Sequence, residues 1–196
     1  GEPQGVEFRL QTLAVRGRRM ASLPYDFNGD GKCDLLHASI DFDKAPPERW
    51  LSVHFQRDGA FGAEPDQIWP LDPRAGALLF GDFLPGGGVE VGFLAEDGAY
   101  VYPWVDGRIS ATPLKILHVA TFFRTASPRL LPVWQWRMDY SADKLDDLIV
   151  PLRDGYRIYF QTEPGVFGKT ATLESDLPPG AARALAPAAR ADKPEI

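Results

Sequence analysis

The sequence predicts an all-β fold, and three observations predict it. Short apolar or alternating runs are separated by turn residues at intervals of roughly ten. Glycine (19) and proline (18) are plentiful and aromatic residues make up 12% of the chain, a composition suited to turns and pleated surfaces. Helical periodicity is weak throughout.

The expected strands follow in order. Residues 8–15, "FRLQTLAV", alternate apolar and polar positions, and 20–25 and 34–40 flank the acidic loop "DFNGDGKCD". Residues 50–56, "WLSVHFQ", and 67–71 are β-branched and aromatic runs on either side of the turn "RDGAFG". The apolar runs 77–80 and 89–94 bracket "GDFLPGGG", and 100–104 leads into the turn "VDGRIS". Residues 113–123 and 131–137 read as strands before a third acidic loop, "DYSADKLDD". Residues 147–152, "DLIVPL", 156–161, "YRIYFQ", and 170–173 complete the set, with the turn "EPGVFG" before the last. The alanine-rich stretch 181–191 has the composition of a short helix, but Pro187 interrupts it.

The acidic loop recurs. Copies start at Asp26, Asp82 and Asp139, so their spacings are 56 (82 − 26) and 57 (139 − 82) residues. Each copy lies between apolar stretches and is trailed by one of the three glycine turns. The first unit carries an insertion, "DFDKAPPE". A period near 50 with about four short strands per unit signals a β-propeller or a related array. The units are expected at 16–71, 72–128 and 129–182, with 183–196 as the possible start of a further blade. Three blades fall below the usual minimum of about four for closure, so the 1–196 chain is expected to be part of a larger propeller. Further blades would come from the same or another chain, or from self-association.

Asp26, Asp30 and Asp34 would repel one another in so tight a loop unless a cation lay between them. Alternating hard oxygens on a glycine-bearing turn suit calcium, whereas magnesium rarely uses so many protein carboxylates. An EF-hand is excluded because His37 stands at loop position twelve and the flanks read as strands. A metal-free turn capped by its own backbone is the alternative reading.

The pattern D-x-[DN]-x-D-G-x-x-D-L followed by a G-x-F-G turn resembles the FG-GAP/VCBS repeats of integrin-α-like β-propellers, over nearly the whole of residues 8–173. That resemblance implies calcium ligands at Asp26, Asn28, Asp30, the Lys32 carbonyl and Asp34. In the third copy it implies Asp139, Ser141, Asp143, the Leu145 carbonyl and Asp147. Leu84 and Gly86 stand at ligand positions of the second copy, which is expected to bind no metal. The first loop is expected to bind more tightly than the third, because Asn28 offers a carbonyl where Ser141 offers a hydroxyl and Gly31 eases a turn that strains Lys144. The resemblance further implies a secreted, periplasmic or cell-surface setting and a protein or glycan partner at the loops.

Other chemistries find little support. A net charge of −6 with no basic stripe argues against nucleic acid, and no apolar run of about 18 residues suggests a transmembrane segment. His37, His54 and His118 are scattered singly, Cys33 sits inside the first loop without a paired histidine, and no nucleotide or hydrolase motif occurs. Trp50, Trp69, Trp104, Trp134 and Trp136 offer a sugar-stacking surface, although blade packing also consumes large aromatics. The sequence therefore reads first as a non-catalytic, calcium-stabilised binding or scaffolding module. A propeller-type lyase or hydrolase with a site at the central channel is one alternative, and a wall of a larger surface or toxin-like assembly is another.

Overall fold

A computed structural model describes residues 10–86, 88–123, 132–134, 137–152 and 155–173. The fold is all-β, with three principal sheets each built largely from one consecutive stretch of chain. The first contains β1 (Arg18–Tyr25), β2 (Asp34–Asp41), β3 (Glu48–His54) and β6 (Gln67–Pro70), paired as an antiparallel meander. A two-stranded hairpin, β4 (Gln56–Arg57) and β5 (Ala60–Phe61), projects between β3 and β6. The second repeats this plan with β7 (Ala77–Gly81), β8 (Glu90–Ala95), β9 (Gly98–Tyr102) and β12 (Leu114–His118). Its projecting hairpin is β10 (Trp104–Val105) and β11 (Arg108–Ile109). A fifth short strand, β13 (Val133–Trp134), lies parallel to β7. The third is β14 (Arg137–Met138), β15 (Asp147–Leu152), β16 (Gly155–Glu163) and β17 (Val166–Leu173). No sheet is closed on itself among the described residues.

Turn chemistry fixes the hairpins. Asp58–Gly59 and Asp106–Gly107 all have positive φ (51°, 76°, 51° and 73°), the type I′ pair that matches strand twist. Pro164 precedes Gly165, whose φ of 81° makes the corresponding turn of the third sheet.

The second sheet is covered on both sides, which is why β7 and β8 are buried at every position and read as near-continuous apolar runs. Leu78, Phe80, Phe93 and Tyr102 pack with Leu36, Leu51 and Trp69 of the first sheet. Leu79, Leu94 and Val101, one residue out of phase, pack with Leu148, Val150 and Tyr159 of the third. Val91, Phe93 and Ala95 thus face the sheet before theirs, as Leu148, Val150 and Leu152 do. Counting from each acidic loop, their counterparts in the first sheet are Leu35, His37 and Ser39. That face is polar: His37 Nε2, Ser39 Oγ, Ser52 Oγ and Trp50 Nε1 are buried without a hydrogen-bond partner.

Several expected elements change. Residues 10–15 form no strand; they are held at isolated points, including Ala14 N–H to the Ala63 carbonyl at 2.8 Å, rather than by a ladder. The strand expected at 113–123 stops at His118, because Val119 and Thr121 turn their N–H groups back to the Asp97 and Glu96 carbonyls. The run 131–137 divides, β13 pairing with the second sheet and β14 with the third. The expected 181–191 helix and 183–196 blade start lie outside the described residues, as does Trp136.

Candidate metal centre

The first and third acidic loops are the same object in two sequences. Asp26 accepts hydrogen bonds from Asp30 N–H (3.1 Å) and Gly31 N–H (2.8 Å) on its two oxygens, and Asp30 Oδ1 accepts from Lys32 N–H (2.9 Å). In the third loop Asp139 accepts from Asp143 N–H (3.1 Å) and Lys144 N–H (2.8 Å), and Asp143 from Leu145 N–H (2.9 Å). Backbone conformation follows suit. Gly29 and Gly31 have φ of 72° and 80°, and Ala142 and Lys144 have 63° and 73°. Lys144 therefore takes the path of Gly31 in the left-handed region, at the steric cost its Cβ imposes there.

Position three separates the copies. Asn28 Oδ1 reaches Asp30 N–H at 3.0 Å, whereas Ser141 Oγ only meets Asp139 Oδ1 at 3.4 Å. Asn28 and Asp30, like Ser141 and Asp143, are solvent-exposed. The Lys32 N–H bond, with the Lys32 ammonium beside it, holds the Asp30 carboxyl below the usual range. Burial pushes the Asp139 carboxyl up, but the N–H groups of Lys144, Asp143 and Ala142 outweigh it and the net shift is downward. At Asp30 and Asp139 the net shift favours the ionised carboxylate, whereas burial raises the pKa of Asp34.

The ninth-position acids do something the spacing does not disclose. Asp34 is fully buried and accepts from Phe27 N–H and Gln56 N–H, both at 3.0 Å. Asp147 is equally buried and accepts from Tyr140 N–H (2.7 Å), Ser141 N–H (3.1 Å) and Gln161 N–H (2.9 Å). Asp34 ties Phe27 to Gln56, the first residue of the hairpin that follows the third strand, and Asp147 ties Tyr140 to Gln161 near the end of its third strand. Glu90, at the ninth place of the second loop, likewise takes Phe83 N–H (2.7 Å) and Leu84 N–H (3.4 Å). Sequence reasoning missed Glu90 as a site residue; the signal was the constant separation of eight in Asp26/Asp34, Asp82/Glu90 and Asp139/Asp147.

Among the described residues no three His, Cys, Asp or Glu side chains gather where they could share one ion. Asp34 and Asp147 are turned inward to the backbone, while Asp26, Asn28 and Asp30, and Asp139, Ser141 and Asp143, line the outer turn. The donor set of these outer turns, carboxylate, amide, hydroxyl and carbonyl oxygen, is chemically that of a calcium site. The second loop has no such set: Leu84 packs against the core, and Gly86 has no side chain.

The three loops touch in sequence order. Val89 N–H bonds the Asp26 carbonyl at 3.1 Å, and Asp82 N–H bonds Asp146 Oδ2 at 3.1 Å, with Arg137 paired to the same Asp146 oxygen. Gly88, at φ 95°, allows the first contact, since a Cβ there would lie 2.7 Å from the Phe27 carbonyl oxygen. The result is a continuous rim of three loops.

The four tryptophans among the described residues all make contacts within the protein. Trp69 meets Tyr102 edge-on in the core, Trp104 lies beside Phe55, and Trp134 donates Nε1–H to the Ile149 carbonyl at 2.8 Å. Trp50 carries the Arg16 guanidinium 3.7 Å above its ring. Ser22 Oγ lies 2.9 Å from His37 Nδ1, and the histidine is held neutral, its pKa pulled down to about 4 by burial and by the neighbouring His54 and Arg19. The described residues contain no helix long and apolar enough to cross a membrane. A scan against protein-family models and a search of curated proteins each found no match.

Glu90 gives the rim a pH dependence. Burial, opposed by the Phe83 and Leu84 N–H groups and reinforced by the Asp82 charge, raises its pKa from 4.5 to about 7. The folded state therefore binds this proton more tightly than the unfolded chain. Stability is gained as pH falls through about 7, and the gain is complete below about 4.5. Glu90→Gln is expected to remove that slope and to be more stable than the parent at pH 8 by about 2 kcal/mol, solvent screening included. Urea unfolding of both proteins from pH 5 to 8 tests it; parallel curves would contradict it.

Proposed function

We propose that this chain is a segment of a calcium-stabilised β-propeller that binds or scaffolds a partner through its loop rim and performs no chemistry of its own. One observation carries the reading: two loops with different sequences share three hydrogen bonds and two left-handed positions, on a rim continuous with the third. Such duplication favours a common constraint on both loops, and a shared cation is the constraint their oxygens suit. Asp26, Asn28, Asp30 and the Lys32 carbonyl would hold calcium in the first loop, with Asp34 bracing it. Asp139, Ser141, Asp143 and the Leu145 carbonyl would do so in the third, braced by Asp147. The four-stranded meanders stacked face to face support the propeller reading. An extracellular, periplasmic or cell-surface site, where calcium is abundant, suits weak loops of this kind, and a protein or glycan is the partner class proposed.

Calcium at about a hundred times its dissociation constant is expected to stabilise the chain by about 2.7 kcal/mol per site. Asp30→Ala should abolish most of the first site's share, and calorimetry should rank the first loop above the third. A melting temperature indifferent to chelator would sink the metal reading.

A further inference from the structure

We propose that His54 is a pH-operated latch: its protonated ring fastens residues 10–15 to the stretch that follows the first hairpin, and loss of one proton loosens that hold. Neither a metal nor a further blade is needed for this. His54 ends β3 and is fully buried. Both of its ring nitrogens meet backbone carbonyls, Nδ1 that of Gly62 at 3.0 Å and Nε2 that of Ala14 at 3.3 Å. A carbonyl oxygen only accepts, so each bond needs an N–H on the ring. Neutral imidazole carries one N–H and imidazolium two. The geometry is therefore complete only when the ring is charged. The same two segments meet again beside it, through Ala14 N–H to the Ala63 carbonyl at 2.8 Å.

The neighbouring histidine does not share this role. The His37 ring stands edge-on to His54 with centroids 5.3 Å apart, so the two would repel if both were charged. His37 Nδ1 has the Ser22 hydroxyl at 2.9 Å, and its Nε2 is buried without a partner. A charged His37 would leave that N–H unsatisfied. Burial, with the His54 and Arg19 charges, accordingly pulls its pKa down to about 4. The pair has room for one charge, and the two carbonyls place it on His54.

The charged groups on the surrounding elements are already engaged elsewhere or exposed. β2 brings His37 and, at its start, Asp34, whose carboxylate takes the Phe27 and Gln56 N–H groups. β1 brings Arg19, whose charge reaches His37. Segment 10–17 brings Arg16, which lies over Trp50 and pairs with Asp41 at 3.7 Å and Glu48 at 4.0 Å. The hairpin and the stretch after it bring exposed Asp58 and Glu64, and Asp66, which pairs with Arg57 and accepts Phe55 N–H. Both ring bonds of His54 therefore go to uncharged backbone, and its proton is felt by the chain itself. When that proton leaves, the remaining N–H stays on Nδ1, toward the nearer carbonyl, and the Nε2 lone pair faces the Ala14 oxygen. Charge-assisted bonds are roughly twice as strong as neutral ones, so the Gly62 bond weakens and the Ala14 bond is lost. The side that loosens is 10–15, because the stretch after the hairpin keeps Asp66 N–H on the Val53 carbonyl at 2.9 Å.

The test uses the full chain in the Glu90→Gln background, which removes the proton linkage of the second loop. Nitrogen NMR follows the histidine rings from pH 5 to 8, and hydrogen exchange is read at the Ala14 amide and corrected for its intrinsic rate. His54 is expected to show two ring N–H groups at pH 5 and one, on Nδ1, at pH 8. Protection of the Ala14 amide should be about tenfold greater at pH 5. His54→Gln keeps a donor but cannot ionise, so it should flatten that difference, whereas His37→Gln should leave it. A ring whose protonation does not change across the range, or Ala14 protection that does not follow the ring, would overturn the proposal. So would a pH dependence that survives His54→Gln or vanishes in His37→Gln. Should either variant fail to fold, the ring titration and the Ala14 amide of the parent decide the matter by themselves.

Discussion

Asp34→Ala is expected to destabilise the fold by about 4 kcal/mol, measured by urea unfolding in excess chelator. Two backbone N–H groups, of Phe27 and Gln56, lose their acceptor at a fully buried site, and each unsatisfied group costs about 1–3 kcal/mol. Asp147→Ala should cost at least as much, since Tyr140, Ser141 and Gln161 all bond its carboxylate. Asp34→Asn retains one acceptor oxygen and should fall between. The chelator matters to the logic. With no metal present, the exposed Asp30 side chain contributes its bond to Lys32 N–H and a surface ion pair with the Lys32 ammonium, so Asp30→Ala should be far milder than Asp34→Ala. If the two variants lost equal stability under chelation, the ninth acid would not be the brace assigned to it. The division of labour is itself informative: the outer residues are solvent-exposed, while the inner acid ties loop to strand whether or not a cation is bound.

That division was only half legible in the sequence. The first loop could be found because Asp26, Asn28, Asp30 and Asp34 with two glycines at fixed offsets leave few other readings; the third followed from the repeat spacing, and 147–152 is the strand observed. The role of Asp34 could not be read, because it depends on Gln56, 22 residues away (56 − 34), closing on it across two strands. In the third unit the same contact spans 14 residues (161 − 147), so no single spacing marks it. Residues 10–15 misled for a related reason. Their alternation is that of a strand, but a strand is made by its neighbour, and among the described residues that neighbour is missing. Lys144 was expected either to strain or to take another path; it takes the strained course, held where Gly31 sits by the bond from its N–H to Asp139. Local propensity lost to the loop's own bonds.

Phe93→Ala is the second large effect, expected at about 3–5 kcal/mol. Phe93 has no exposed surface, stacks on Tyr100 at 5.0 Å with an 8° interplanar angle, and stands 5.8 Å from Tyr102. It sits at the centre of the contact between the first and second sheets, where close packing leaves no room to collapse around a lost ring. Its counterpart in the first sheet makes the control. His37 is as deeply buried, but its Nε2 has no partner, so His37→Ala removes an unsatisfied group along with the packing and should cost about 1 kcal/mol. The consequence should reach the rim. Phe27, the second residue of the first loop, belongs to the same cluster as Phe93, and Val89 N–H crosses from the second loop to the Asp26 carbonyl. Loosening the cluster should therefore speed exchange of the Val89 amide before the sheets unfold. Equal costs for Phe93→Ala and His37→Ala, or an unchanged Val89 amide, would show that the rim is held by its own loops and not by the packing of the sheets beneath it.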